Sequence, residues 1–275
     1  MKKIFLLNLL LFFSLYNYAQ EGYIGIALGS SIPLGDYSAS SVNFIDNNNS
    51  DWYFPNVING GNGAATSGAT LKLLDFHYKF NSHIGIAYSF WGSSHAINDK
   101  DYQVFIQGQI NSVYPSVYNV TGNVSEPYFF PTHNIGMMLS TGGESVNFNL
   151  KGSFAIIPSM RTLNSESIID VNFIDPTLGT SVYAYTVNEE MESTNSSISL
   201  GFSIGAGIQY YLSYHWAMNA YVDYLSFKTD INERNIKSEL INASGMVLVS
   251  ENYSAEPLSM DISTFNLTLG IGYVW

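Results

Sequence analysis

The segment Ser263–Trp275 reads STFNLTLGIGYVW. Phe265, Leu267, Leu269, Ile271, Tyr273 and Trp275 fall on one parity, and Asn266, Thr268, Gly270, Gly272 and Val274 fall on the other. Successive residues of a strand point to opposite faces, so this is a strand that is greasy on one side and small or polar on the other. The last residues of a soluble domain ordinarily fray. A strand tipped with Tyr273 and Trp275 does not read as a frayed end.

The same period recurs upstream. Residues 22–34 place Ile24, Ile26 and Leu28 opposite Gly25, Ala27 and Gly29. Further strands are expected at 69–80, 84–94, 132–141, 146–160, 196–212 and 216–231, with the last from about 259. The connections alternate in length. NSH (81–83), GGES (142–145) and SYH (213–215) are tight, whereas 35–68, 95–131, 161–195 and 232–258 are long and polar. Long connections inside a compact domain usually count against an assignment. Their regular alternation instead matches a transmembrane barrel, with short periplasmic turns, long extracellular loops and strands of about 9–11 residues. The expected fold is therefore all-β: an eight-stranded antiparallel up-and-down barrel with three short turns and four long loops. Closure leaves no unpaired edge in lipid.

Composition agrees. Charged residues make up only 12% of the chain, about half the usual roughly 25%, while 20 Tyr and 17 Phe are present. The absence of cysteine excludes disulfides, thiolate metal sites, cysteine nucleophiles and a lipid-anchoring cysteine. MKKIFLLNLLLFFSLYNYAQ opens with Lys2 and Lys3 before an apolar run, Ile4 to Phe13, too short to span a bilayer. It reads as a secretory signal, residues 1–19, cut after Ala19, although Asn17 at the −3 position is not small. The barrel domain is then 20–275. Losing Lys2 and Lys3 from 10 basic residues leaves 8 against 22 acidic ones, a charge of −14. Nucleic acid is thereby disfavoured as a partner, because binding phosphate needs a basic surface.

Alternation alone does not say which face is outside, and a soluble barrel with a greasy lumen has the same period. Three features select the membrane form. Ser199, Gly201, Ser203, Gly205 and Gly207 suit a crowded, narrow interior, while Leu200, Phe202, Ile204 and Ile208 suit lipid. Charges avoid the strand centres. Aromatics gather at strand ends: Tyr78, Phe80, Trp216, Tyr273 and Trp275 on the short-turn side, and Phe90 and Trp91 on the other. Such belts mark membrane interfaces.

GYIGIALGSSIPLGDY and LTLGIGYVW resemble the glycine-rich opening strand, with its Pro-x-Gly exit, and the closing strand of the bacterial outer membrane protein beta-barrel domain family. The wider group includes the OmpA transmembrane-domain, OmpX and OmpW-like barrels. The resemblance implies residence in a Gram-negative outer membrane. It also implies that the C-terminal aromatic is read by the barrel-assembly machinery. Members mostly have no assigned activity.

Chemistry-bearing residues fall into three groups. With uninterrupted alternation, Asp75, His77, Lys79, Lys151, Asn219 and Asp223 point inward, joined by Asn147, Asn149, Gln209, Tyr211 and Tyr221. They read as the paired polar filling of a narrow lumen; a constriction or a small-ligand site is the sharper alternative. Lys72 and Lys228 take outward parity near the outer rim, to pair with anionic lipid or to snorkel. His95 and His133, with Ser93, Ser94 and Asp99 or Glu126, form the best candidate for a Ser–His–acid set or a two-histidine metal site. That spacing is unspecific in a serine-rich chain. In the loops, DWYFPNV (51–57) and EPYFFPTH (126–133) read as partner contacts or rim aromatics, and NEEMES (188–193) as a solvated acidic face.

The expectation is thus a non-catalytic outer-membrane barrel without cofactor. Its partners would be membrane lipid, the assembly machinery and an unknown extracellular ligand of its loops. A narrow channel is the alternative and a lipid A-modifying enzyme the third reading.

Overall fold

The computed structural model describes residues 21–39, 63–98, 118–124, 128–160, 165–174, 181–193, 197–231, 234–242, 244–255 and 258–275. The expected leader (1–19), the stretch 51–57, and Asp99 and Glu126 lie outside the described residues.

Eight strands form one closed antiparallel barrel: β1 (Glu21–Leu34), β2 (Gly68–Lys79), β3 (Ile84–His95), β5 (Tyr128–Ser140), β6 (Val146–Ile157), β9 (Ser199–Tyr211), β10 (Trp216–Ile231) and β13 (Leu258–Val274). Five more, β4 (Tyr118–Val124), β7 (Ser165–Ile174), β8 (Ser181–Ser193), β11 (Arg234–Asn242) and β12 (Val247–Ala255), come from three of the four long connections. They make a second sheet in the order β12-β11-β8-β7-β4. NEEMES is therefore strand β8 rather than loop, and Tyr128 to Pro131 belong to β5.

The seam between β1 and β13 runs in register from Tyr23↔Val274 to Leu34↔Ser263. Beyond it, Gly22 N–H donates to the Trp275 carbonyl at 3.1 Å and Trp275 N–H to the Gly22 carbonyl at 3.0 Å. The crowded seam requires glycine: a Cβ on Gly29 would stand 1.7 Å from the Leu267 carbonyl oxygen. Along β13, Phe265, Leu267, Leu269, Ile271 and Tyr273 are 41–67% exposed, while Thr264, Asn266 and Thr268 are at most 3% exposed. Large apolar side chains outside and small polar ones inside is the arrangement a spanning barrel needs.

Tyr78 packs edge-on to Phe80, Trp216 edge-on to Tyr273, and Tyr273 stacks on Trp275, forming the aromatic girdle at the short-turn end. From Trp216 it is 12 residues along β10 to Lys228, which faces outward opposite Asp261 of β13. At ~3.3 Å per residue and a ~40° tilt this is a rise of ~30 Å, just beyond the roughly 25 Å apolar band. Lys228 and Asp261 thus mark the far margin of the lipid-facing surface.

Strand β2 carries the one irregularity that matters for the lumen. Its pairing skips between Lys72 and Leu74 against β3, and β1 skips from Gly25↔Asp75 to Ala27↔Lys72. Both ladders therefore place one extra residue in β2, a β-bulge that reverses parity. Leu71 and Leu73 face out above it; Thr70 and Lys72 face in. The outward expectation for Lys72 is corrected: it is 1% exposed, inside the barrel.

Candidate functional site

The lumen is filled in layers, because an eight-stranded barrel encloses only enough room for side chains. At the short-turn end Lys79 Nζ donates to both Glu21 oxygens at 3.1 Å and to Tyr211 Oη at 3.1 Å. Tyr211 donates in turn to Glu21 and accepts from Asn147 Nδ2. In the middle layer Asp75 Oδ1 meets His77 Nε2 at 3.0 Å and Lys151 Nζ at 3.3 Å, and Asp75 Oδ2 accepts from Asn219 Nδ2 at 3.2 Å. Lys151 Nζ also lies 3.7 Å from the centre of the Tyr221 ring, whose hydroxyl accepts from Asn149. In the next layer Lys72 Nζ donates to Asp223 Oδ2 at 2.5 Å, between the Trp91 and Tyr221 rings.

Among the described residues the lumen thus holds Lys72, Lys79 and Lys151 against Glu21, Asp75 and Asp223. Three ion pairs balance, as buried charges must. A small polar cavity remains between the upper two layers, lined by Lys72, Asn134, Lys151, Ser153, Ser203 and Asp223.

Above the charges the filling turns apolar. Trp91, Phe130, Ile157, Leu225, Phe227 and Ile262 form a buried cluster. The 3-10 turn Gly35–Tyr37 lowers Tyr37 onto it, edge-on to Tyr128 and Phe130. Residues 63–65 tie down this cap: Ala65 N–H donates to the Tyr37 carbonyl at 2.9 Å and Tyr128 Oη to the Gly63 carbonyl at 2.8 Å. Burial pushes the Tyr37 phenol well above its ordinary pKa, with Tyr128 adding to the effect.

Two sequence readings of these residues are corrected. Trp91 is not an interface aromatic; it is 1% exposed in the lumen, and only its neighbour Phe90 faces out. Tyr128 and Phe130 are not loop contacts, since both are fully buried under the cap.

The histidine pair does not assemble. His95 faces inward, stacked on Phe130 with Nδ1 on the Thr66 carbonyl. His133 has the opposite parity, stacked on Phe90 and bonded to Tyr88 Oη at 2.9 Å. Ser93 is committed to Thr70 inside the barrel. A Ser–His–acid relay needs its members on one face within hydrogen-bond reach, and these stand on two.

Sequence reasoning passed over Glu21, Tyr23 and the apolar cluster. The signal was present for part of it: Leu225 and Phe227 share parity with Asn219, Tyr221 and Asp223.

In the second sheet β7 pairs with β8, β8 with β11 and β11 with β12, in a register that runs Ile169↔Val187, Val187↔Leu240 and Leu240↔Val249. Glu239 bonds Lys237 at 2.7 Å, and this hydrogen bond holds its carboxyl below the ordinary carboxylate range.

No family model matches the chain, and no curated protein matches it. Among solved structures it is similar to Ail, the attachment invasion locus protein of Yersinia pestis, at 14% identity and a TM-score of 0.35, covering 93% of this chain and 98% of that one. It is similar to the outer membrane protein OprG of Pseudomonas aeruginosa at 11% identity and 0.39, covering 93% and 95%. A major outer membrane protein of Thermus thermophilus matches at 11% and 0.37, covering 94% and 100%. At these scores the likeness adds nothing to the closed eight-stranded barrel of outer-membrane type already described.

Proposed function

We propose that this protein is a non-catalytic outer-membrane barrel whose lumen is shut and whose role, structural or surface-interacting, is carried by its long connections. The observation behind this is the filling of the lumen: three balanced ion pairs along the short-turn half and a capped aromatic cluster above them. A chain that seals its pore this way and spends three long connections on a separate five-stranded sheet invests in the outside of the barrel. Its partners are then membrane lipid around the girdle, the barrel-assembly machinery during insertion, and an extracellular ligand on the sheet.

Planar-bilayer recording tests the seal. Wild-type protein is expected to insert without conductance steps at neutral pH; stable steps that vanish in Asp223→Ala would establish a pore through the ion-pair layer instead. The interaction role is tested by replacing residues 234–255, the β11–β12 hairpin, with a short Gly-Ser link. The barrel should still insert, and cells displaying it should lose adhesion; equal adhesion at equal surface levels would remove the reading. Lipid A mass spectra with wild-type protein and with His95→Ala are expected to be identical, and a difference would restore the enzyme.

A further inference from the structure

His77 is held by two groups that make opposite demands on it. Its Nε2 lies 3.0 Å from Asp75 Oδ1 and 2.5 Å from Lys151 Nζ. A carboxylate only accepts and an ammonium only donates, while a ring nitrogen does one or the other. Without a proton, Nε2 accepts from Lys151, and Asp75 is served by Lys151 at 3.3 Å and Asn219 at 3.2 Å. With a proton on Nε2 as well as on Nδ1, the ring donates from Nε2 to Asp75, offers Lys151 no lone pair and sets a positive charge beside it. The two arrangements exclude each other.

The ring is enclosed on every side. Tyr23 of β1 stacks on it at 5.1 Å and Tyr221 of β10 stands edge-on at 5.9 Å. Asp75 comes from its own strand, Lys151 from β6, and the next charge, Lys72, is committed to Asp223. Nδ1 has no partner among the described residues. The protonation state of Nε2 is therefore decided between Asp75 and Lys151.

Lys151 has a second place to go. It lines the small cavity, whose space for the centre of a water-sized group is about 10 Å³, the size needed for one such group. Asn134 of β5 lines the same cavity at 4% exposure, with neither Oδ1 nor Nδ2 bonded among the described residues. A buried amide oxygen without a donor is rare and disfavoured, and an ammonium is the size of a water. The Ser153 and Ser203 side chains share the wall.

We propose that Lys151 is a two-position ammonium switched by one proton on His77. In the first position it sits on Asp75 and the unprotonated ring. When Nε2 takes up a proton, keeps it and hydrogen-bonds through it to Asp75, Lys151 moves into the cavity and donates to Asn134 Oδ1. The only bond formed is the N–H on Nε2, its proton supplied by water, and the lumen passes from balanced charge to one excess positive charge. The lumen thereby responds to acid through one residue pair.

The test is NMR of the full chain in detergent micelles, with the histidine ring and lysine ammonium nitrogens labelled, from about pH 8 to pH 4, a range that brackets the ordinary imidazole pKa. The His77 Nε2 and Lys151 Nζ resonances are expected to move together with one midpoint. His77→Gln should flatten the Lys151 response, and Asn134→Leu should abolish it while His77 still titrates. Asn134→Ser, which keeps an acceptor oxygen, should retain a reduced response and serves if the leucine variant does not fold. A His77 ring that never titrates in this range, or titrates with Lys151 unmoved, overturns the proposal. So does a Lys151 response that survives His77→Gln.

Discussion

Lys72→Met distinguishes the two parities of strand β2 by the sign of its effect. Under uninterrupted alternation Lys72 would lie on the lipid face with Leu74 and Phe76. Removing a lysine there stabilises a barrel by about 2–4 kcal/mol at the bilayer midplane and about 0–1 kcal/mol near the interfaces. The extra residue at Leu73 instead puts the ammonium 2.5 Å from Asp223 Oδ2, with the Trp91 ring centre at 4.8 Å and the Tyr221 ring centre at 5.3 Å. Methionine keeps most of the stem volume but leaves the Asp223 carboxylate, on a residue 4% exposed, without its cation. Breaking a buried pair from one side costs about 3–5 kcal/mol, or roughly two to four powers of ten in the folded-to-unfolded ratio. Replacing both partners should recover most of this, since apolar replacement of a buried pair is often neutral or better. Lys72→Met/Asp223→Leu is therefore expected well above the single variant. The assay is urea unfolding from lipid vesicles, followed by tryptophan fluorescence, with the slope against urea checked for constancy. A single variant as stable as wild type, or a double variant showing simple additivity, would refute the bulge and the pairing it creates.

Other perturbations probe the seam, the cap and the outer sheet. Gly29→Ala should lower barrel stability clearly in the same assay, because its Cβ meets the Leu267 backbone, whereas Gly152→Ala, with nothing within 4 Å, should be neutral or slightly stabilising. Phe130→Ala empties the fully buried centre of the cap and is expected to cost about 3–5 kcal/mol. Tyr37→Phe should leave stability unchanged or raise it, since the hydroxyl is buried without a partner among the described residues. In the outer sheet the folded Glu239 carboxyl titrates below its unfolded value. Its tie to Lys237 is therefore present at neutral pH and lost as the pH falls through that lowered pKa; Lys237→Gln should move the Glu239 carboxyl resonance to higher pH, and an unmoved titration would discount the tie.

Most of the barrel was legible from alternation. Phe265 to Trp275 against Asn266 to Val274 states a two-faced strand, and Ser199 to Gly207 tells which face is crowded. The placement of Asp75, Lys151 and Asp223 inside follows from the same count, as does that of Asn219. Counting failed at Lys72 and was not applied at Trp91. Lys72 lies across the inserted Leu73, and the reading of Trp91 leaned on aromatic position instead of parity. The separation of His95 from His133 was also readable from their parities in β3 and β5, once those strands were in register. The polar stretches 95–131, 161–195 and 232–258 gave no sign of a joint sheet, because the ladders that join them, β4 with β7 and β8 with β11, link strands from different connections.

The sequence by itself determined that eight two-faced segments close around a narrow, small-residue interior with lipid outside. Period and residue size are local properties that survive without knowledge of partners. Only the tertiary structure decided which charge meets which: Lys72 with Asp223, Lys79 with Glu21, and Lys151 between Asp75 and His77. Those pairings depend on the registers of strands far apart in the chain, and one inserted residue in β2 exchanges inside for outside without altering the composition of the strand.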